Sequence, residues 1–317
     1  MGVLESYRDN KNAFNGTYDF SLIRVNDSLL VGEDKDGNVS LISISMEQQR
    51  DSVAQKTKEL SFECNSKITY IENNEKKHDI CHVVRCYSKI DRDRNVFLEL
   101  CDTFFLNKTV NMDMIIEVFS IMNNFFARKK SYSKEMLQGL YAELYSIYFF
   151  RNKIDLAKSW QNKDRMKFDF SINEDTKLEV KSTNLQSRIH HFKHEQLATN
   201  IVDIYILSYK LREDNDGLSL LELISRVLPL LNEYPKKQAR ILKLKFDCKD
   251  EGILKELKYL EEYTISNMRF FNAKDVPKFS GDTPTNVSDA EYNSNCEGVK
   301  FIPEEEIVDM FKEKIEQ

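Results

Sequence analysis

The sequence predicts a mixed α+β chain, with a β-rich N-terminal domain followed by an α/β core whose mixed central sheet is flanked by helices. Three observations carry this reading. Apolar residues alternate with period two through much of the first 108 residues. At Asn111 the apolar spacing changes to three and four residues. From Ser133 to Leu231 helical and strand-like runs alternate around one strongly apolar segment, VDIYILSYKL (202–211), as in sheets covered by helices. The chain divides on this reading into 1–108, 109–250 and 251–317, the last an α/β extension packed on the core.

SLIRV (21–25) and SLLVG (28–32) read as strands, and Asp36-Gly37 supplies a hairpin-type turn before NVSLISIS (38–45). A helix is expected near 46–60, then strands at HDICHVVRCY (78–87) and NVFLELCDTFF (95–105) on either side of the charged turn KIDRDR. NMDMIIEVFSIMNNFFARKK carries Met114, Ile115, Val118, Ile121, Met122 and Phe125 on one helical stripe and ends in basic residues, which suits a helix C-terminus. Ser133 is a good N-cap for a helix running to about Phe150, with Met136, Leu140, Leu144 and Ile147 as its stripe. Glu143 falls on that stripe, where a carboxylate is costly unless it reaches water or meets a cation.

Phe168, Phe170 and Ile172 alternate as one short strand, Leu178 and Val180 as another, with Asn173, Glu174 and Asp175 as the turn between them. NLQSRIHHFKHEQLATN (184–200) is a polar connection with a helical second part. GLSLLELISRVLPLL (217–231) is an amphipathic helix that Pro235 keeps from continuing, and RILKLKF (240–246) alternates like a strand. ILKELKYLEEY (253–263) reads as a helix, and the end mixes a short strand with the polar loop VPKFSGDTPTNVSDAEYNSN (276–295).

Composition narrows the function. No run of eighteen apolar residues is present, and the start, MGVLESYRDNKN, lacks a secretion-type apolar stretch. It fits a lipidation pattern at Gly2 that is easily met by chance. Six cysteines without a C-x-x-C pair or zinc spacing read as reduced thiols, and the expected location is the cytoplasm. A net charge of −6 argues against a protein that coats nucleic acid unaided. Yet Arg128 to Lys193 holds 14 Lys and Arg against 8 Asp and Glu, a surplus of six that leaves −12 for the remainder. A solvated basic face is the ordinary explanation, but this stretch also holds the candidate chemistry.

That chemistry lies in KFDFSINEDTKLEVKST (167–183). If its two runs pair, Asp169, Glu179 and Lys181 converge on one polar face, where they either neutralise one another or hold a metal ion. Mg²⁺ takes hard oxygen ligands and keeps several waters, so Asp169, Glu179 and the backbone carbonyl of Val180 suffice as ligands. Such an ion acidifies water and clamps phosphate oxygens, as phosphodiester hydrolysis requires at neutral pH. Lys181 would steer the attacking water and offset negative charge. Glu143 would bind a second metal or its water. His190, His191 and His194 form H-H-x-x-H, but no glutamate separates the pair of zinc-like spacing, so phosphate contact or loop ordering is the better reading. Arg188 and Lys193 are surface charges or phosphate contacts. Gln196 either polarises the site's water or caps its helix, Trp160 reads as core, and Lys163, Arg165 and Lys167 as a solvated face.

The order of helix glutamate (GLYAELYS, 139–146), strand aspartate (FDF, 168–170) and E-x-K strand (LEVKST, 178–183) resembles the PD-(D/E)XK nuclease superfamily. GLYAEL, Trp160, EVKST, His190-His191 and Gln196-Leu197 follow the order of one bacterial branch, known as PD-(D/E)XK motif proteins and encoded beside ATPases in defence-type gene clusters. The β-rich start and the polar segment from Val276 are also similar to that branch, although only 139–197 is sharp. The resemblance implies a restriction-endonuclease-like core and a DNA endonuclease dependent on Mg²⁺ or Mn²⁺, acting in restriction or phage defence. Asp169, Glu179, Lys181 and Glu143 would be catalytic, supported by Gln196 and His190. Ser182, Thr183, Arg188, His191 and Lys193 would meet nucleic acid. DNA, an ATPase or helicase-like subunit and a second copy of the chain are the implied partners, with no membrane. Phe168 stands where the superfamily has a proline; that proline shapes a turn rather than binding metal, so ligation stays intact. The alternative is a catalytically silent member serving as a DNA- or protein-recognition scaffold, which the intact triad disfavours. The triad sees only a phosphodiester, so it does not separate DNA from RNA or specify a sequence.

Overall fold

The computed structural model describes residues 2–11, 19–45, 51–127, 130–161, 167–198, 201–248, 252–279, 286 and 289–316. They form two units, Met1–Lys130 and Ser131–Gln317.

The first unit contains α1 (Val3–Asp9), β1 (Phe20–Arg24), β2 (Leu29–Asp34), β3 (Val39–Ile44), β4 (Val53–Lys56), β5 (Leu60–Glu72), β6 (Glu75–Cys86), α2 (Asp91–Phe105) and α3 (Met112–Ala127). Its strands are ordered β1-β2-β3-β6-β5-β4, and β1 also pairs in parallel with the far end of β5 through Ser21–Ile71 and Leu22–Glu72. That extra pairing closes β1, β2, β3, β6 and β5 into a barrel, leaving β4 as an exposed edge strand on β5. Phe20, Leu22, Leu30, Ile42, Ile68, Tyr70, Cys81 and Val83 form one buried cluster of this unit. Gly32 lies where β1 comes closest, since a Cβ there would stand 1.9 Å from the Ser21 carbonyl.

Three expectations fail in this unit. Residues 95–105 are helical, within α2, because Phe97, Leu98, Cys101, Phe104 and Phe105 recur at helical spacing and are all buried. Asp91 and Asp93 in its first turn favour the positive end of the helix dipole. No helix occupies 51–60: Val53–Lys56 is a strand paired with β5, while 46–50 lie outside the described residues. The division also falls after Lys130 rather than near 108, because α3 packs on β5 and β6, with Phe119 edge-on to Phe62 at 4.8 Å.

The second unit contains α4 (Lys134–Phe150), α5 (Leu156–Ser159), β7 (Phe170–Ser171), β8 (Thr176–Thr183), β9 (Ile189–Lys193), α6 (His194–Ala198), β10 (Asp203–Lys210), β11 (Glu213–Ser219), α7 (Leu220–Val227), α8 (Pro235–Asp247), α9 (Gly252–Glu256), β12 (Lys258–Tyr259), α10 (Glu261–Ser266), β13 (Arg269–Asn272), β14 (Glu291–Asn295) and α11 (Glu304–Glu316). Its main sheet has the order β13-β10-β8-β7, with β8 and β10 parallel and the other pairs antiparallel. The chain is therefore α+β, with a β-rich N-terminal unit and a helix-flanked mixed sheet after it.

Ser133 caps α4 as expected, its hydroxyl accepting from Met136 N at 3.2 Å. The buried stripe of α4 runs through Leu137, Leu140, Tyr141, Leu144 and Ile147, and Met136 is exposed. Residues 240–246 are helical, because Pro235 occupies the first turn and starts α8 instead of stopping a helix. The expected helix 253–263 is broken by β12, which pairs with β11 at a site where Gly217 sits against the Tyr259 backbone. Local helical preference yields there to strand pairing. Burial pushes the Cys81 thiol up to about 12 and those of Cys86 and Cys296 up to about 11, so none of these is a ready nucleophile. Among the described residues no helix is long and apolar enough to cross a membrane.

Candidate active site at the edge of the central sheet

Strand parity sorts the side chains of β8. Leu178 and Val180 point to the face packed by α4 and join its core cluster. Glu179 and Lys181 point to the other face, beside Ile206 and Ser208 of β10. That second face is covered by Phe192 of β9 and Leu197 of α6, which cluster with Ile206 and Phe271. The β9 strand pairs with β14, so the stretch taken as a polar connection is a two-stranded ribbon leading into α6.

The strand β7 covers the edge of β8 only as far as Phe170–Leu178. Beyond it the Asp169 carboxylate takes over: Val180 N donates to Asp169 Oδ2 at 2.8 Å, satisfying a donor that β7 does not reach. Asp169 is thus tied to the residue between Glu179 and Lys181. Glu179 is buried, and its Oε1 accepts from Lys181 Nζ at 2.7 Å and from Gln196 Nε2 at 2.7 Å. Gln196 Oε1 in turn accepts from Lys193 N at 3.1 Å and Lys181 Nζ at 3.4 Å. Lys181 Nζ also stands 5.1 Å over the Phe192 ring. Glu143, from α4, is held at Oε2 by the Trp160 indole N–H at 2.7 Å, with an Arg240 guanidinium nitrogen 3.6 Å away.

The charges here are not balanced locally. Burial, then the negative charges of Glu179 and Glu143, hold the Asp169 carboxyl well above its ordinary range. Burial also raises Glu179; Lys181 and Gln196 oppose that shift, while Glu143 adds to it. Asp169 Oδ1, Glu179 Oε2 and Glu143 Oε1 accept no hydrogen bond among the described residues. Among those residues no three His, Cys, Asp or Glu side chains form a ready metal cage. The hard oxygens of Asp169 and Glu179, joined by the Val180 carbonyl, nevertheless fit a divalent cation that retains several waters, and such a charge relieves the repulsion that raises both carboxyls.

The remaining expected residues go elsewhere. Arg188 is buried, donating to the Ser208 carbonyl at 3.0 Å, Ser208 Oγ at 2.7 Å and the Asn267 carbonyl at 2.7 Å, so its guanidinium is spent inside the fold. His190 is buried beside it with Nε2 2.6 Å from Ser208 Oγ; burial, then the charges of Arg188 and Lys181, push its pKa down to about 3 and keep the ring neutral. Exposed His191 meets Glu291 at 3.0 Å and Asn293 at 3.2 Å, and Lys193 lies 3.9 Å from Glu291. The His194 ring meets Tyr292, so the three histidines do not converge. Ser182 Oγ accepts from Gln138 at 3.3 Å, and Thr183 Oγ1 from Leu185 N at 3.2 Å. Of the proposed basic stripe, Lys163 and Arg165 lie outside the described residues, and Lys167 pairs with Glu195 at 3.2 Å. Arg188→Met is expected to cost about 2–4 kcal/mol, because the buried carbonyl and hydroxyl of Ser208 and the partly buried Asn267 carbonyl lose a charged donor. Urea denaturation checks this, and an unchanged midpoint would contradict it.

Arg240 carries no motif-level signal in the sequence. Pro235 at a helix start and Ala239 and Leu242 at helical spacing could have placed it on a helix. A family model described as "Putative PD-(D/E)XK family member, (DUF4420)" matches residues 14–297. No curated protein and no solved structure matches the chain. The matched span contains Glu143, Asp169, Glu179, Lys181 and Gln196, and the chain belongs to this PD-(D/E)XK family.

Proposed function

We propose that the protein hydrolyses phosphodiester bonds of DNA, using Mg²⁺ or Mn²⁺ held by Asp169, Glu179 and the Val180 carbonyl. One observation carries the reading: at the edge of β8 that β7 leaves open, the Asp169 carboxylate is tied to Val180 N at 2.8 Å, between Glu179 and Lys181, which pair at 2.7 Å. A divalent cation bound there supplies charge compensation for phosphate and lowers the pKa of water. Lys181 is fixed by Glu179 and Phe192, so its ammonium reaches a phosphate oxygen or the attacking water with little reorganisation. Glu143 can accept a water proton at Oε1. Gly139, one turn earlier on α4, faces open space, which lets a phosphate backbone come close to the helix. The net charge of −6 favours weak, salt-sensitive DNA binding by the chain alone, and a DNA-gripping ATPase partner in defence is part of this proposal.

The test is supercoiled plasmid with about 10 mM Mg²⁺ or Mn²⁺, a range suited to weakly held hard cations. Metal-dependent nicking by the wild type that is lost in Glu179→Gln is the expected outcome. Nicking that survives the substitution overturns the site. Absence of both nicking and calorimetric cation binding overturns the reading.

A further inference from the structure

Trp160 is the only tryptophan in the chain, and it does more than fill the core. Its buried indole donates to Glu143 Oε2 at 2.7 Å. Its ring lies under the Arg240 guanidinium, whose carbon stands 4.5 Å from the ring centroid. Arg240 makes two further contacts: 3.6 Å to Glu143 Oε2 and a 2.7 Å hydrogen bond to the Gln161 carbonyl. Gln161 N in turn donates to the Asp169 carbonyl at 2.8 Å, and Trp160 bridges Phe170 on the strand that follows Asp169. On the same helix Lys237 donates to the carbonyls of Ala157 and Lys158, both at 2.6 Å, fastening the end of α5 just before Trp160. One face of α8 thus grips the segment that carries Trp160 and leads toward Asp169.

We infer that Arg240, with Trp160, is a positioning residue that fixes Glu143 against Asp169. The inference rests on the proposed cation-dependent site. Glu143 comes from α4 and Asp169 from the residue just before β7, and the two are separated in sequence. Arg240 contacts both lines of support, Glu143 on one side and the Trp160–Gln161 segment on the other. Both contacts fall on Oε2, and Oε1 accepts no hydrogen bond among the described residues. A guanidinium suits this work because it can stack on the indole while its separate nitrogens meet a carboxylate and a carbonyl; an ammonium is a point charge that cannot stack as a plane. Arg240 touches neither substrate nor cation on this account. It acts by limiting how far two carboxylates can drift apart, and small displacements of reacting groups are expensive in rate.

The single indole makes the clamp observable without turnover. In metal-free protein the Trp160 Nε1–H resonance is expected downfield, because it donates to a carboxylate. Glu143→Gln and Arg240→Met should each move it, and Arg240→Met should speed its hydrogen exchange about tenfold, equivalent to roughly 1.4 kcal/mol. Arg240→Lys should restore part of the wild-type position. At saturating Mg²⁺, plasmid cleavage by Arg240→Met should fall about tenfold or more, with partial rescue by Arg240→Lys. An indole resonance unmoved by Arg240→Met overturns the inference, as does a moved resonance with cleavage within twofold of wild type. Loss of cleavage explained by unfolding, seen as a collapsed amide spectrum for Arg240→Met and no rescue by lysine, also overturns it in favour of a purely structural role. If wild-type protein neither nicks plasmid nor shifts its indole resonance on Mg²⁺ addition, the cation-site reading itself fails, and the positioning role falls with it.

Discussion

Lys181→Ala is expected to lower metal-dependent cleavage by about two to three orders of magnitude, the range seen when one preorganised electrostatic donor is removed. The ammonium is held 2.7 Å from Glu179 and 3.4 Å from Gln196, with only 19% of its side chain exposed, so its position is fixed before substrate arrives. The same substitution acts on stability. It leaves Glu179 buried without its counter-charge, and breaking a buried pair from one side typically costs about 3–5 kcal/mol. Protonation limits that loss, because Glu179 already binds its proton more tightly than an exposed glutamate. The metal-free variant should therefore be nearly as stable as wild type at low pH and fall behind as pH rises and Glu179 ionises. Single-turnover plasmid cleavage and thermal melts in chelator at several pH values check both parts. Cleavage by Lys181→Ala at the wild-type rate would remove Lys181 from the chemistry.

The placing of Glu143 on a helix and of Glu179 and Lys181 on a strand was legible because a helix and a strand place residues by fixed periods. Glu143 stands out as a carboxylate on an apolar stripe, and Glu179 and Lys181 share a face because they are two residues apart. The expected hairpin was only partly right. Its strand β7 has two residues, and Asp169 reaches the site by capping Val180 N, a contact made by a side chain and invisible to alternation. Arg188 and His190 show the opposite failure. In sequence a basic residue and a histidine beside an E-x-K strand read as phosphate contacts. Period two in β9 puts His190 inward and His191 outward, and Arg188, just ahead of that strand, is buried by the packing of Ser208 and Asn267. In the N-terminal unit, β5 was missed because its register shifts between Glu63 and Ser66, where Asn65 adopts φ 53°, which breaks the alternation in two. Pairing of β1 with β5 depends on residues about fifty apart, and no local pattern reports it.

Asp169→Asn is expected to make the metal-free protein more stable while abolishing cleavage. The carboxyl of Asp169 is raised in the folded state by burial first and by Glu179 and Glu143 next. A carboxyl whose folded pKa exceeds its unfolded value contributes stability that is fully present below the unfolded value, near 3.9, and is lost as pH rises through the folded one. Glu179 shifts in the same direction, so metal-free protein weakens as both groups ionise. Asparagine removes one of those charges and keeps an oxygen to accept from Val180 N. At pH 7.5 in chelator the variant should gain on the order of 1–2 kcal/mol in urea denaturation, a size typical of relieved functional sites. The two stability curves should converge toward pH 4 and below. Mg²⁺ should raise the melting temperature of wild type and leave that of the variant nearly unchanged, because stabilisation by a ligand follows its affinity for the native state. Cleavage by the variant should fall at least about a hundredfold. A variant less stable than wild type in chelator at pH 7.5 would mean that Asp169 serves the fold as a cap and that its charge is already compensated. The combination of greater stability and lost activity would instead identify Asp169 as a carboxylate kept at a cost to the apo fold, because only a cation between Asp169 and Glu179 turns their repulsion into binding energy.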